Sequence, residues 1–298
     1  MVKTPLLATG LTGLVGSHFS KTFQSKYEFF NLDLTTGVDI TNPQKVDEFI
    51  TSHSAPVLIH FAAFTNVNEA FKQTGDKSGL CYRVNVEGTR NIVNSCKKHG
   101  IYLVHISTDF VFAGDKQEPY TEDDPRHPIE WYGQTKAWAE EIIETELSNF
   151  TILRIGYPFR AHYEAKPDII HKILTGLKSG NLYPQFSDMI ITPTPIHTFS
   201  QILDRVVEQK PQGIFHAHGS TALSPYELAR LVAQTFGYDP NQIKEGSLVE
   251  YLKTTDRPYQ QYLHMDNSKI QQTLNITIPT IQEALEEIKQ EIRIRLLS

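Results

Sequence analysis

Residues 9–16, Thr9-Gly10-Leu11-Thr12-Gly13-Leu14-Val15-Gly16, constrain this chain more than any other stretch. Glycines spaced three and three follow a short apolar run and open a helical pattern. Gly10 permits a tight turn, Gly13 lets backbone approach a pyrophosphate, and Gly16 lets helix and sheet pack closely. A helix N-terminus there offers N–H groups and positive potential to an anion, which makes Gly10, Thr12, Gly13 and Gly16 candidate phosphate contacts. Taken alone, the same spacing also serves an ordinary strand-to-helix turn. The next candidate strand, however, ends at Asp33, roughly 20 residues on, where a carboxylate can accept both hydroxyls of an adenosine ribose. No Lys or Arg lies between Asp33 and Lys45. A 2′-phosphate would meet an anion without a cation, so NAD(H) is favoured and NADP(H) is left open.

The first half alternates short β-rich runs (6–8, 28–33, 57–61, 102–106 and 151–155) with helical patterns, as in a parallel sheet covered on both faces. Pro5 cannot donate to a ladder, so the first strand should begin around it. The helix after Gly13 is expected to bury Leu14, Val15, Phe19 and Phe23, and a longer helix over 80–99 stops at Gly100. Beyond Pro158 prolines cluster and helices outnumber strands. The expected fold is α/β: a Rossmann-type doubly wound parallel sheet over 1–157, then a smaller C-terminal substrate-binding lobe over 158–298, with some segments returning to the first domain. Ser224-Pro225 and Thr280-Ile281-Gln282-Glu283 read as helix starts.

Composition narrows the partners. Against 34 Asp+Glu stand 28 Lys+Arg, a net charge of -6 with no basic stripe, which argues against nucleic acid. No apolar run reaches the ~18 residues of a membrane helix, and no cleavable leader is apparent. Cys81 and Cys96 read as buried thiols in a reducing compartment. The expectation is a soluble cytoplasmic protein. Twelve histidines form no HxxxH or His/Cys cluster, so no metal is assigned, and His60 and His105 read as satisfied core residues.

Tyr132 and Lys136 stand at i and i+4, on one helical face. A phenol titrates near ~10, and an adjacent ammonium would lower it, so that Tyr132 could donate or accept a proton. Ser107-Thr108-Asp109 closes the fourth candidate strand, where open parallel sheets present groups to a ligand, and a hydroxyl there can hold a carbonyl oxygen. Strand ends also carry such residues simply for turns. Trp131 and Trp138 are explained by packing on the sheet. Arg154 and Arg160 suit either a substrate diphosphate or a surface ion pair.

Together, residues 9–16, Asp33, Asp39-Ile40, the string 60–67 (HFAAFTNV), the string 107–112 (STDFVF), Tyr132 and Lys136, and Asp188 with Thr192-Pro193-Thr194 resemble the extended short-chain dehydrogenase/reductase family. The closer likeness is to its dTDP-4-dehydrorhamnose reductase branch. The resemblance implies cofactor contact at Gly13, Leu14, Val15, Asp33, Asp39, Ile40, Ala62, Ala63 and Phe64, with Tyr132 and Lys136 also at the cofactor. It implies catalysis by Thr108, Tyr132 and Lys136, and substrate contact by Thr108, Asp109 and Tyr157. The segment 154–160 departs from the branch's usual tryptophan-containing one.

The implied reaction is reduction of a 4-keto nucleotide sugar, with hydride from nicotinamide and a proton from Tyr132. An epimerase or dehydratase would use the same cofactor and tyrosine, although dehydratases usually carry an acid where this chain has Phe110. A non-catalytic regulatory subunit resembling the β subunit of methionine adenosyltransferase is the alternative from another class. Helical pairing of subunits in this superfamily suggests a homodimer.

Overall fold

In the computed structural model, which describes residues 2–163 and 165–297, six strands form one sheet. Their order is Gly213–His216, Phe150–Ile155, Tyr102–Thr108, Val57–His60, Thr4–Thr9, Tyr27–Leu32. Thr4–Thr9 pairs in parallel with Tyr27–Leu32 and with Val57–His60, which pairs in parallel with Tyr102–Thr108. The order doubles back at the first strand, the switch point where open α/β sheets leave a crevice at the carboxyl ends. Leu6, Leu7, Ala8, Leu58, Ile59, Leu103 and Val104 are fully buried, as strands covered on both faces require.

Thr4–Thr9 runs through Pro5, which pairs with Glu28 on one side. Pairing on the other side begins only at Leu7, so the missing donor costs no ladder bond there. The strand Gly213–His216 was not foreseen: four residues carry little pattern of their own. The first helix, Gly16–Thr22, starts later than expected; Leu14 and Val15 lie in the turn before it and are half-buried, as is Phe23 just beyond it, and Phe19 alone of the four is fully buried. The 80–99 pattern resolves into Leu80–Tyr82, a π-helical stretch Arg83–Gly88 and the helix Thr89–His99, closed by left-handed Gly100.

The chain divides into two compact units. One holds the chain up to Phe112, Pro125–Arg154 and Ser200–Phe215; the other holds Ala113–Asp124, Ile155–Phe199 and the chain from His216 on. The first is built on the sheet, around Leu7, Leu32, Leu58, Ile92 and Leu103. The second packs Phe159, Ile173, Ile191, Val232 and Leu285 beside short parallel pairs such as Pro158–Phe159 with Thr194–Pro195. Ser224 caps the helix Pro225–Phe236 as expected, in a capping box with Glu227, and Thr280 and Glu283 form the expected capping box on the last helix. Among the described residues no helix is long and apolar enough to cross a membrane.

Candidate active site

The register of the sheet aligns the carboxyl ends of neighbouring strands: Thr9 lies opposite both Leu32 and His60, and His60 opposite His105. The predicted cofactor residues follow those ends. Gly10 is left-handed (φ 67), and a Cβ there would lie 2.8 Å from the Ala62 nitrogen. A Cβ on Gly16 would lie 2.6 Å from the Gly10 carbonyl oxygen. The turn is therefore closed to side chains at two of its glycines, as a cradle for a pyrophosphate must be.

Asp33 follows the second strand. Its Oδ1 accepts the Thr35 amide (2.8 Å) and its Oδ2 accepts Asn31 Nδ2 (2.8 Å). Burial raises its pKa, but the Thr35 and Asn31 hydrogen bonds outweigh it and hold the carboxyl below its ordinary value. Lys45, the first cation after Asp33 in the sequence, is returned by the fold to the loop beyond Asp33, where its Nζ donates to the Gly37 carbonyl (3.3 Å). Asp39 is exposed and caps Thr41, while Ile40 is buried with its side chain against Gly88.

Ala62, Ala63 and Phe64 follow the third strand, and two buried side chains hold their backbone. Thr9 Oγ1 accepts the Ala62 amide (3.0 Å) and lies 2.7 Å from His60 Nδ1. Thr89 Oγ1 donates to the Asn85 carbonyl (2.7 Å), so it accepts from His60 Nε2 (3.1 Å). His60 therefore carries its proton on Nε2 and accepts from Thr9 on Nδ1. Burial lowers its pKa to about 3, so it stays neutral. Asn85 Oδ1 accepts the Phe64 amide (2.8 Å), and its Nδ2 donates to Thr135 Oγ1 (2.9 Å), which donates to the Tyr132 carbonyl (2.8 Å). Asn85 and Thr89 escaped the sequence reading. The available signal was a polar stripe, Cys81, Asn85 and Thr89, on an otherwise apolar helical face.

Thr108 ends the fourth strand, and Asp109–Val111 forms a single tight turn. Glu130 caps the helix Trp131–Glu146, accepting the amides of Tyr132 (3.0 Å) and Gly133 (2.5 Å). A Cβ on Gly133 would overlap the Phe110 carbonyl, so the helix start sits directly on that turn. This brings Thr108, Asp109 and Tyr132 together, with the Phe110 ring edge-on to Tyr132 at 5.8 Å. Thr108 Oγ1 donates to Asp109 Oδ1 (2.9 Å). Burial pushes Asp109 up to about 7; the Thr108 hydroxyl and nearby amides pull it down, and the Glu130 charge raises it. Tyr132 is also raised, first by burial and then by Glu130 and Asp109, against a hydrogen bond with Thr108. The expected lowering by Lys136 is not what this arrangement gives.

The reason is where Lys136 points. Its Nζ donates to the Ile106 carbonyl (2.8 Å) and lies 2.9 Å from His105 Nε2. Burial lowers Lys136 to about 8, opposed by Glu140, and burial with Lys136 keeps His105 neutral. Glu140, one turn further, takes Arg154 in a fork (Nε 3.0 Å, Nη2 2.7 Å) and Arg126 at 3.2 Å. Arg154 is 1% exposed and lies over the Phe112 ring at 4.9 Å. It is thus neither a surface ion pair nor spare for a diphosphate. Trp131 and Trp138 pack edge-on to one another and against Tyr82 rather than on the sheet alone. Cys81 and Cys96 are free, buried thiols.

In the second unit Tyr157 has φ 45, uncommon for a bulky side chain. Thr194 braces the preceding peptide: its Oγ1 donates to the Gly156 carbonyl (2.7 Å) and accepts the Gly156 amide (3.2 Å). Asp188 is a cap, accepting Ser247 Oγ (2.6 Å) and the Leu248 amide (2.6 Å). Among the described residues, His197, Glu287 and Glu291 bring ligand atoms within 4.8 Å of one another. No predicted site residue belongs to that group.

Comparison with known proteins follows the same lines. The model of the family described as RmlD substrate binding domain matches residues 4–294. The dTDP-4-dehydrorhamnose reductase of Aggregatibacter actinomycetemcomitans is 29% identical over 297 residues, covering 95% of this chain and 98% of that protein. The crystal structure of dTDP-4-dehydrorhamnose reductase from Bacillus anthracis in complex with NADP superposes with a TM-score of 0.87 at 23% identity, covering 98% of this chain and 99% of that one. A Streptomyces venezuelae dTDP-glucose 4,6-dehydratase with NAD bound shares the fold at TM-score 0.79 and 20% identity, covering 98% and 97%.

Proposed function

The chain belongs to the RmlD substrate binding domain family, and from that premise we propose that it is a nicotinamide-dependent reductase of a 4-keto nucleotide sugar. The observation that carries this reading is the meeting of Thr108, Asp109 and Tyr132 at the carboxyl end of the fourth strand, in the same unit as the glycine turn. The closed turn at Gly10 and Gly16 fits a dinucleotide, held further by Thr12, Gly13, Leu14, Val15, Asp33, Asp39, Ile40 and the backbone of Ala62, Ala63 and Phe64. When bound, the nicotinamide supplies the hydride that reduces the keto carbon.

Tyr132 supplies the proton. A phenol raised by burial remains protonated at neutral pH, as a donor in the reductive direction must be. Thr108 hydrogen-bonds the keto oxygen, Lys136 holds the nicotinamide ribose, and Asp109 and Tyr157 contact the sugar nucleotide. Asp33 favours NADH over NADPH. Phe110, in place of a second acid after Thr108-Asp109, supports reduction over dehydration.

The test is oxidation of NADH and of NADPH by the purified protein with a panel of 4-keto nucleotide sugars, with the products identified. Turnover to a 4-hydroxy sugar, faster with NADH, is expected. A protein that turns over none of them and instead binds a protein partner stoichiometrically would be the regulatory subunit.

A further inference from the structure

Thr108 has one proton to give, and in this structure it goes to Asp109 Oδ1 (2.9 Å) while Thr108 Oγ1 accepts the Phe110 amide (3.3 Å). An ionised Asp109 would keep that proton, leaving Thr108 none for a keto oxygen. Yet Asp109 is 1% exposed, and its Oδ2 has no hydrogen-bond partner among the described residues. A buried carboxylate with one oxygen unmet is the state that desolvation penalises most, and protonation relieves it. A carboxylic acid can donate where a carboxylate can only accept.

We propose that Asp109 is a positioning residue whose neutral acid donates to Thr108 Oγ1 and thereby turns the Thr108 hydroxyl proton toward the substrate's keto oxygen. This rests on the reductase reading of the site. Asp109 loses no proton in turnover; one hydrogen bond reverses its direction, and the transferred proton still leaves Tyr132. The groups facing Asp109 favour the acid: Glu130 at the start of the packed helix adds negative charge, and the neutral Tyr132 phenol beside it adds no cation. The Thr108 hydroxyl and the Asp109 and Phe110 amides act the other way. The balance places the transition at about 7.

Two measurements test this. In the first, kcat/KM for reduction is followed between about pH 6 and 7.5 for the wild type and for Asp109→Asn, whose amide donates to Thr108 at every pH. Wild type should fall about fourfold as Asp109 ionises, while Asp109→Asn, whatever its absolute rate, should show no such fall. A fall of the same size in Asp109→Asn overturns the proposal. In the second, infrared difference spectra of wild type against Asp109→Asn, recorded without substrate, should show a protonated-carboxyl C=O band at pH 6 that fades through about pH 7. Absence of that band at pH 6 also overturns it. Because this readout needs no turnover, a wild type that reduces no keto sugar counts against the reductase reading alone.

Discussion

The helix Trp131–Glu146 touches two buried polar clusters, and they are built on opposite principles. Toward its C-terminal half, Glu140 meets a forked Arg154 and a second guanidinium from Arg126, which in turn reaches Glu144. Charge is matched by charge. At its N-terminal end, Tyr132 meets Thr108 and Asp109, where an acid oxygen has no hydrogen-bond partner among the described residues and both acidic groups are shifted upward. The first cluster ties the helix to the strand Phe150–Ile155 and has no reason to rearrange. The second keeps hydrogen-bonding capacity in reserve, which costs stability and is a feature that clusters at functional sites.

If that contrast is right, substitutions along one helix should separate stability from activity. The largest expected loss of stability is at the paired end. Arg154→Met leaves Glu140 buried without its fork and should cost about 3–5 kcal/mol in denaturant unfolding, while Arg154→Met with Glu140→Gln should recover most of it. A loss under about 1 kcal/mol would erase the distinction. Asn85→Ala removes the groups that meet the Phe64 amide and Thr135 and should cost about 1–3 kcal/mol, with weaker cofactor binding measured by titration. Unchanged binding would detach Asn85 from the site. Smallest of all, Tyr132→Phe should cost about 1 kcal/mol in unfolding, because it forfeits one hydrogen bond while Thr108 keeps its bonds to Asp109 and the Phe110 amide.

Local geometry is what made part of this legible in the sequence. The glycine turn announces itself because Gly10 and Gly16 answer to contacts within a few residues and one neighbouring strand. The spacing of Tyr132 and Lys136 correctly implies one helical face. What that face meets depends on the strand Tyr102–Thr108, whose Ile106 carbonyl and His105 ring claim the ammonium. Arg154 was misread for the same reason: its carboxylate partner is on another element, and an arginine near a site looks the same whether it awaits a phosphate or is already forked. Asn85 was hidden by a π-helical stretch that apolar spacing does not reveal. Lys45 shows the limit of reading charge along the chain, since folding returns it to the loop beyond Asp33.

The central claim is that the Tyr132 phenol delivers the proton to the keto oxygen. It is tested most directly by single-turnover reduction with Tyr132→Phe at saturating cofactor and a confirmed 4-keto substrate. The account predicts cofactor affinity within a few-fold of wild type and a reduction step slowed by about 10²–10⁴-fold. Reduction at the wild-type rate would contradict it.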